Sequence, residues 1–343
     1  MMQGDRYVSL LAELGDAFHP ATDPEERYFV ILRYYVDVSG KETTRDERAV
    51  TAAGYVASQA RWQQFEQLWD ATLKLGAFPY FHATEFFACA GPFERLRADP
   101  VEHKNLASLF ALAAHTAIPY GFSSSLDLDH FDPVFRAACR KLRTPHDRIP
   151  AAMIAVAEVC EQVAQLALRP GSGLQAQLFI EDGDGVGEIL EWLKHLKRVG
   201  EGWTGAFVGF NSLSGDEYPL QAADYLAHET WLETKALMRD HSRTWDDTRD
   251  TFKLLCTGAS MVPPELGTSK VDARYATEDN FQRAAPRLVA FIAAHPEYQR
   301  RSWTKRWRRN SRQWIRAQWR EARYFARGRV KRAWYGRLGM RWP

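Results

Sequence analysis

Ten residues, YFVILRYYVD from Tyr28 to Asp37, constrain the fold more than any other stretch of the chain. Aromatic and branched side chains run through them almost without a polar break, which is too continuous for a strand with one face in water. The run therefore predicts a strand in the middle of a sheet. It stops on an acid, Asp37, followed by Val-Ser-Gly. Asp, Ser and Gly are ordinary turn residues, so turn chemistry explains the ending. A carboxylate at the end of a buried strand also suits a ligand site, and both readings stand at this point.

Further along, AVTAAGYVA (49–57) reads as a second strand and hairpin partner. Trp62, Phe65, Leu68, Trp69 and Leu73 recur at helical spacing, with Gly76 as the stop. PYFHATEFF (79–87) is a short apolar stretch carrying His82 and Glu85. A helix is predicted over 102–117, a serine-broken strand over 118–128, and helical pattern over 130–170 as an insertion. LQAQLFIED (174–182) is a strand ending on two acids, GVGEILEWLKHLKRV a helix, GAFVGFNSL (205–213) a strand, and 219–238 a helix that opens on Pro219. Strands and helices in this order give a mixed α/β layer fold. The expected organisation is an N-terminal extension (1–27), a main domain (28–240), a helical part (241–299) with a helix near 278–295, and a tail from 300 to 343.

At 343 residues and 45% hydrophobic content the chain can build a full core without staples. Its four cysteines, Cys89, Cys139, Cys160 and Cys256, form no C-x-x-C pair, which argues against a zinc ribbon or a disulfide framework. They read as reduced, mostly buried thiols. With no leader-like start and no long apolar span, a cytoplasmic location is expected. The net charge of +2 hides a division. Residues 300–343 hold 16 Lys and Arg against one acid, Glu321, a balance of +15, while the first 299 residues hold 29 basic and 42 acidic residues, or −13. A segment so basic is drawn to phosphate polymers, anionic lipid or an acidic protein surface.

Asp37, the pair Glu181 and Asp182, and Asp224 in the first turns of the 219–238 helix belong at one crevice if their strands are neighbours. Carboxylates gathered there repel one another unless a cation sits among them. Oxygen ligands of this kind suit Mg²⁺ or Mn²⁺, and two such ions can clamp the attacking and leaving oxygens of a phosphodiester. Each acid also has a plainer role. Glu181 and Asp182 precede a G-D-G-V-G loop, where Asp is a good turn residue. That loop lacks the spacing of a dinucleotide cradle, its acids repel phosphate, and a calcium loop fails because its twelfth position from Asp182 is Leu193. Asp224 lies among Leu220, Ala223, Ala227 and Trp231, which should face the core, so it needs a partner or a metal. His228, one turn on, could bond it or share its metal. Otherwise Asp224 is a helix-start acid in water, and Gln221 beside it a solvated side chain.

The set YVDVSG, FHATEF, LFIEDGD and PLQAADYLA, in that order, resembles a large bacterial and phage family catalogued as a domain of unknown function, number thirty-eight hundred. The resemblance covers roughly residues 28–240, and the Gln221 to Asp224 element is its most specific piece. It implies a ribonuclease H-like mixed sheet flanked by helices, with a site made of Asp37, Asp182 or its neighbour Glu181, and Asp224. It also implies that His82 and Glu85 flank that site. One departure is Val38, where the family has Glu; adjacent strand residues point to opposite faces, so Val38 and Asp37 could not both have served one site. His82 beside Tyr80 and Phe81 equally suits a packed histidine.

The tail carries six of the twelve tryptophans. Arg306, Trp307, Arg308, Arg309, Arg312, Trp314, Arg316 and Trp319 interleave cations with rings, as a nucleic-acid strand requires for phosphates and bases. An anionic membrane surface and a helix docked on the acidic body suit the same pattern. The expected function is a metal-dependent nuclease or related phosphoryl-transfer protein acting on DNA or RNA. The alternative is a non-catalytic nucleic-acid-binding or interaction protein on the same fold, to which Val38 points.

Overall fold

A computed structural model describes residues 30–40, 49–118, 120–129, 131, 133, 151–168, 174–183, 185–240 and 242–257. The continuous apolar run forms β1, Val30–Ser39, and β2, Ala49–Ala57, returns antiparallel beside it with Asp37 opposite Ala53. The helices α1 (Gln59–Leu75), α2 (Ala83–Phe87) and α3 (Pro100–Ala117) follow, then β3 (Tyr120–Asp127) on the far side of β2. After α4 (Ala151–Ala167) come β4 (Leu174–Glu181), α5 (Val186–Arg198), β5 (Phe207–Leu213), α6 (Tyr218–Arg239) and α7 (Asp250–Thr257). The five strands make one mixed sheet in the order β3-β2-β1-β4-β5, with β1 parallel to β4 and β4 parallel to β5. β1 is thus the central strand, as its composition predicts. The predicted helix over 278–295, the 1–27 extension, most of the first half of the 130–170 insertion and the tail lie outside the described residues.

Alternation along the strands divides the core into two layers. Tyr35, Ala53 and Tyr55 face α1, α3, α6 and α7 in one aromatic cluster with Trp62, Phe65, Trp69, Phe81 and Phe110. On the other face Tyr34 meets Phe122 edge-on, and α4 packs across β2, β3 and β4. The close approach of β1 to β2 needs glycine at one point: a Cβ on Gly54 would stand 1.9 Å from the Tyr35 carbonyl oxygen. Past the end of β1, Gly40 takes a left-handed φ of 91°, which ordinary side chains resist. There the indole of Trp231 donates to the Ala49 carbonyl at 3.1 Å and ties α6 to the start of β2.

Candidate functional site

The parallel pairing of β1 with β4 sets the first two acids side by side. Tyr35 and Phe179 are register partners and their rings stack at 5.0 Å. Two residues further along each strand, on the same face, stand Asp37 and Glu181, one step beyond the last paired residues, Val36 and Ile180. Their side chains lie within hydrogen-bonding reach of each other. Burial raises the Asp37 carboxyl; the Val38 amide, the charge of His82 and the Glu181 bond oppose that shift without cancelling it.

α6 brings the third acid. Asp224 is 7% exposed, and burial, with the charges of Asp37 and Glu85 added, pushes it well above the usual carboxylate range. Its Oδ2 accepts the Ala83 amide at 2.7 Å. One turn earlier on the same helix, Gln221 Oε1 accepts both the Trp69 indole N–H and the Phe81 amide, each at 3.0 Å. The backbone on both sides of His82 is therefore pinned to α6. His82 sits within electrostatic reach of Asp37 and of His228, with its Nδ1 buried and no protein partner among the described residues. Glu85, in the first turn of α2, accepts from the Tyr80 hydroxyl at 2.7 Å.

Asp37, Glu181, Asp224, His82 and Glu85 thus come together from β1, β4, α6 and the segment leading into α2. Asp182 does not join them: it is exposed, and its amide donates to the Leu213 carbonyl at 2.7 Å. It lies one residue past the end of β4. Gln221 is buried at 2% exposure rather than solvated. His228 makes no bond to Asp224; it stacks on Phe87 at 5.3 Å with the rings 5° apart. Burial, the Arg249 charge and His82 lower its pKa to about 4. The three cysteines among the described residues, Cys89, Cys160 and Cys256, form no disulfide. Arg306, Trp307, Arg308, Arg309, Arg312, Trp314, Arg316 and Trp319 lie outside the described residues.

Two residues of this region are absent from the sequence reading, Glu229 and Arg249, which pair through both carboxylate oxygens at 3.0 and 3.1 Å. A buried glutamate one residue after His228 on a core helix was the available signal, because such an acid requires a cation. Among the described residues no three His, Cys, Asp or Glu side chains are arranged to hold a metal ion together, and no described helix is long and apolar enough to cross a membrane. The fold and site define an α/β protein with a mixed five-stranded sheet and a cluster of acids at one end of its central strands, Asp37 and Asp224 among them raised in pKa. No protein-family model, no curated protein and no solved structure matches the chain.

Proposed function

We propose that this chain is a metal-dependent nuclease, or a related phosphoryl-transfer protein acting on nucleic acid, on a ribonuclease H-like sheet, and that it belongs with the family its four motifs resemble. The strand order supports the fold reading: three antiparallel strands, β1 to β3, extended on the other side of β1 by the parallel β4 and β5. The observation that carries the functional reading is the gathering of Asp37, Glu181 and Asp224 from separate elements, with two of them raised in pKa. Evolution keeps acids in mutual repulsion where a cation or a proton transfer needs them.

The donor type suits Mg²⁺ or Mn²⁺, since hard carboxylate oxygens are what these ions take, although among the described residues no three of these side chains are set to share an ion in the present arrangement. A divalent ion would offset the repulsion between Asp37 and Asp224. Asp37, Glu181 and Asp224 are the residues that would hold the ion, with His82 beside them. When bound, the ion supplies Lewis-acid stabilisation of charge building on a phosphodiester. Gln221 and the Asp224 bond to Ala83 hold His82 at the edge of the cluster, and the stacked rings of Tyr35 and Phe179 lie two residues back along the same strands.

One observation favours the second reading, a nucleic-acid-binding protein without metal chemistry: no three of these side chains are set to share an ion among the described residues. Labelled RNA and DNA incubated with the protein, with and without Mn²⁺, separate the two. Cleavage only with Mn²⁺ is the expected result. Absence of cleavage together with absence of Mn²⁺ binding heat in calorimetry removes the enzyme reading and leaves the binding one.

A further inference from the structure

A crevice lined with acids repels the substrate just proposed for it, so something nearby must hold a phosphate in place. Arg249 has the properties for this. Its Nε and Nη2 donate to the two oxygens of Glu229 at 3.1 and 3.0 Å, and Thr251 Oγ1 donates to the same carboxylate at 2.6 Å. Glu229 is 0% exposed while the Arg249 side chain is 42% exposed, so the pair has its anion inside and its cation outside. The Arg249 amide is tied as well, to Glu233 Oε1 at 3.0 Å.

A buried carboxylate of this kind adds little net stability compared with an apolar side chain of the same size. What it does is hold a guanidinium in one orientation with N–H donors to spare. The Arg249 Nη1 group has no acceptor among the described residues, and the guanidinium lies 5.6 Å from the centre of the Phe87 ring. Phe87 stacks on His228, His228 feels the charges of both Arg249 and His82, and His82 acts on Asp37. An oriented cation therefore stands one histidine pair away from the acids.

We propose that Arg249, aimed by Glu229, binds a backbone phosphate of the nucleic acid whose neighbouring phosphodiester faces Asp37, Glu181 and Asp224. The proposal rests on the functional reading above. Its chemistry is the fork of N–H donors that an arginine presents to phosphate oxygens, a charge-assisted contact stronger than a neutral one.

The test compares wild type, Arg249→Gln, Arg249→Lys and the double variant Glu229→Gln with Arg249→Gln, all with the full chain and so with the same basic tail. Binding of fluorescein-labelled six-nucleotide DNA and RNA oligomers is read by anisotropy at fixed salt with Ca²⁺ in place of Mn²⁺. Loss of one charge-assisted contact weakens binding by about tenfold in Arg249→Gln. The double variant, which removes the unpaired buried charge, regains thermal stability but remains about tenfold weak. If the double variant binds as wild type does, Arg249 serves only to neutralise Glu229 and the proposal fails. Where the Gln variants do not fold, Arg249→Lys decides: weaker binding by at least about threefold supports the fork, and unchanged binding overturns it. Since no cleavage is needed, a wild type that binds but never cleaves removes the nuclease reading and leaves Arg249 in place. A wild type that cleaves, with the double variant binding normally, removes Arg249 alone.

Discussion

Asp224 serves two opposed demands. Its carboxyl is raised by burial and by Asp37 and Glu85, so the folded chain keeps a proton that the unfolded chain releases above the ordinary aspartate value of 3.8. The folded state then binds more protons, and its stability falls as pH rises through the interval between that ordinary value and the raised one. An acid placed at that disadvantage is tolerated for what its charge does. Asp224→Asn removes the titration and keeps an amide oxygen for the Ala83 N–H. The expected outcome is a higher thermal midpoint at pH 7 without added metal, a flatter dependence of that midpoint on pH above 4, and metal-dependent cleavage reduced by more than about a hundredfold. Asp224→Ala orphans the Ala83 amide and loses about 1–3 kcal/mol instead. Calorimetric scans between pH 4 and 8 check the sign, and an Asn variant less stable than wild type at pH 7 would show that the carboxylate is ionised and paired.

At the scale of elements, α6 organises the site. Pro219 suits its first turn, and from there Gln221 and Asp224 grip the segment around His82 while Glu229 and Glu233 grip the start of α7. Gln221→Ala leaves the Trp69 indole N–H and the Phe81 amide without an acceptor, two buried donors worth together about 2–5 kcal/mol. A matching drop in the urea midpoint is expected, with faster hydrogen exchange at Phe81 and Ala83 and no change in β3. Unchanged exchange at Phe81 would mean that its ring contacts with Trp69 and Phe110, at 5.4 and 4.6 Å, hold the segment by themselves. The elements themselves were legible in the sequence, because the period of the apolar residues survives folding: β1 to β5 and the long helices fall within a few residues of where the pattern puts them. The choice between Glu181 and Asp182 was also legible in principle, since Tyr35 and Asp37 share a face and so do Phe179 and Glu181. What no local pattern could show is a bond such as Gln221 to Phe81, 140 residues apart, or Glu229 to Arg249 across the turn between two helices. Those depend on where α6 crosses the sheet, which only the folded chain decides.

For the whole molecule the controlling quantity is the division of charge, +15 over residues 300–343 against −13 before them. An acidic domain with an acidic crevice does not attract nucleic acid from a distance; a basic segment on the same chain does, and on the nucleic-acid reading it raises the local concentration of substrate. Each phosphate neutralised on duplex DNA releases nearly one counterion, so about six contacts give a log–log slope against salt of about −5. Truncation after Gln299 should flatten that slope to about −1 or −2 while leaving Mn²⁺ binding and the cleavage of short oligomers in place. The shortened chain should stay soluble and unfold cooperatively, because the described members of the aromatic cluster all lie at or before the end of α7 at Thr257. Aggregation of the truncated chain, or loss of its cooperative transition, would mean that the Trp-rich segment covers apolar surface on the body. An unchanged salt slope would place the phosphate contacts on the body, with Arg249 the first residue to examine. Binding of the full chain to anionic vesicles but not to DNA or RNA at equal salt would assign the tail to a membrane surface.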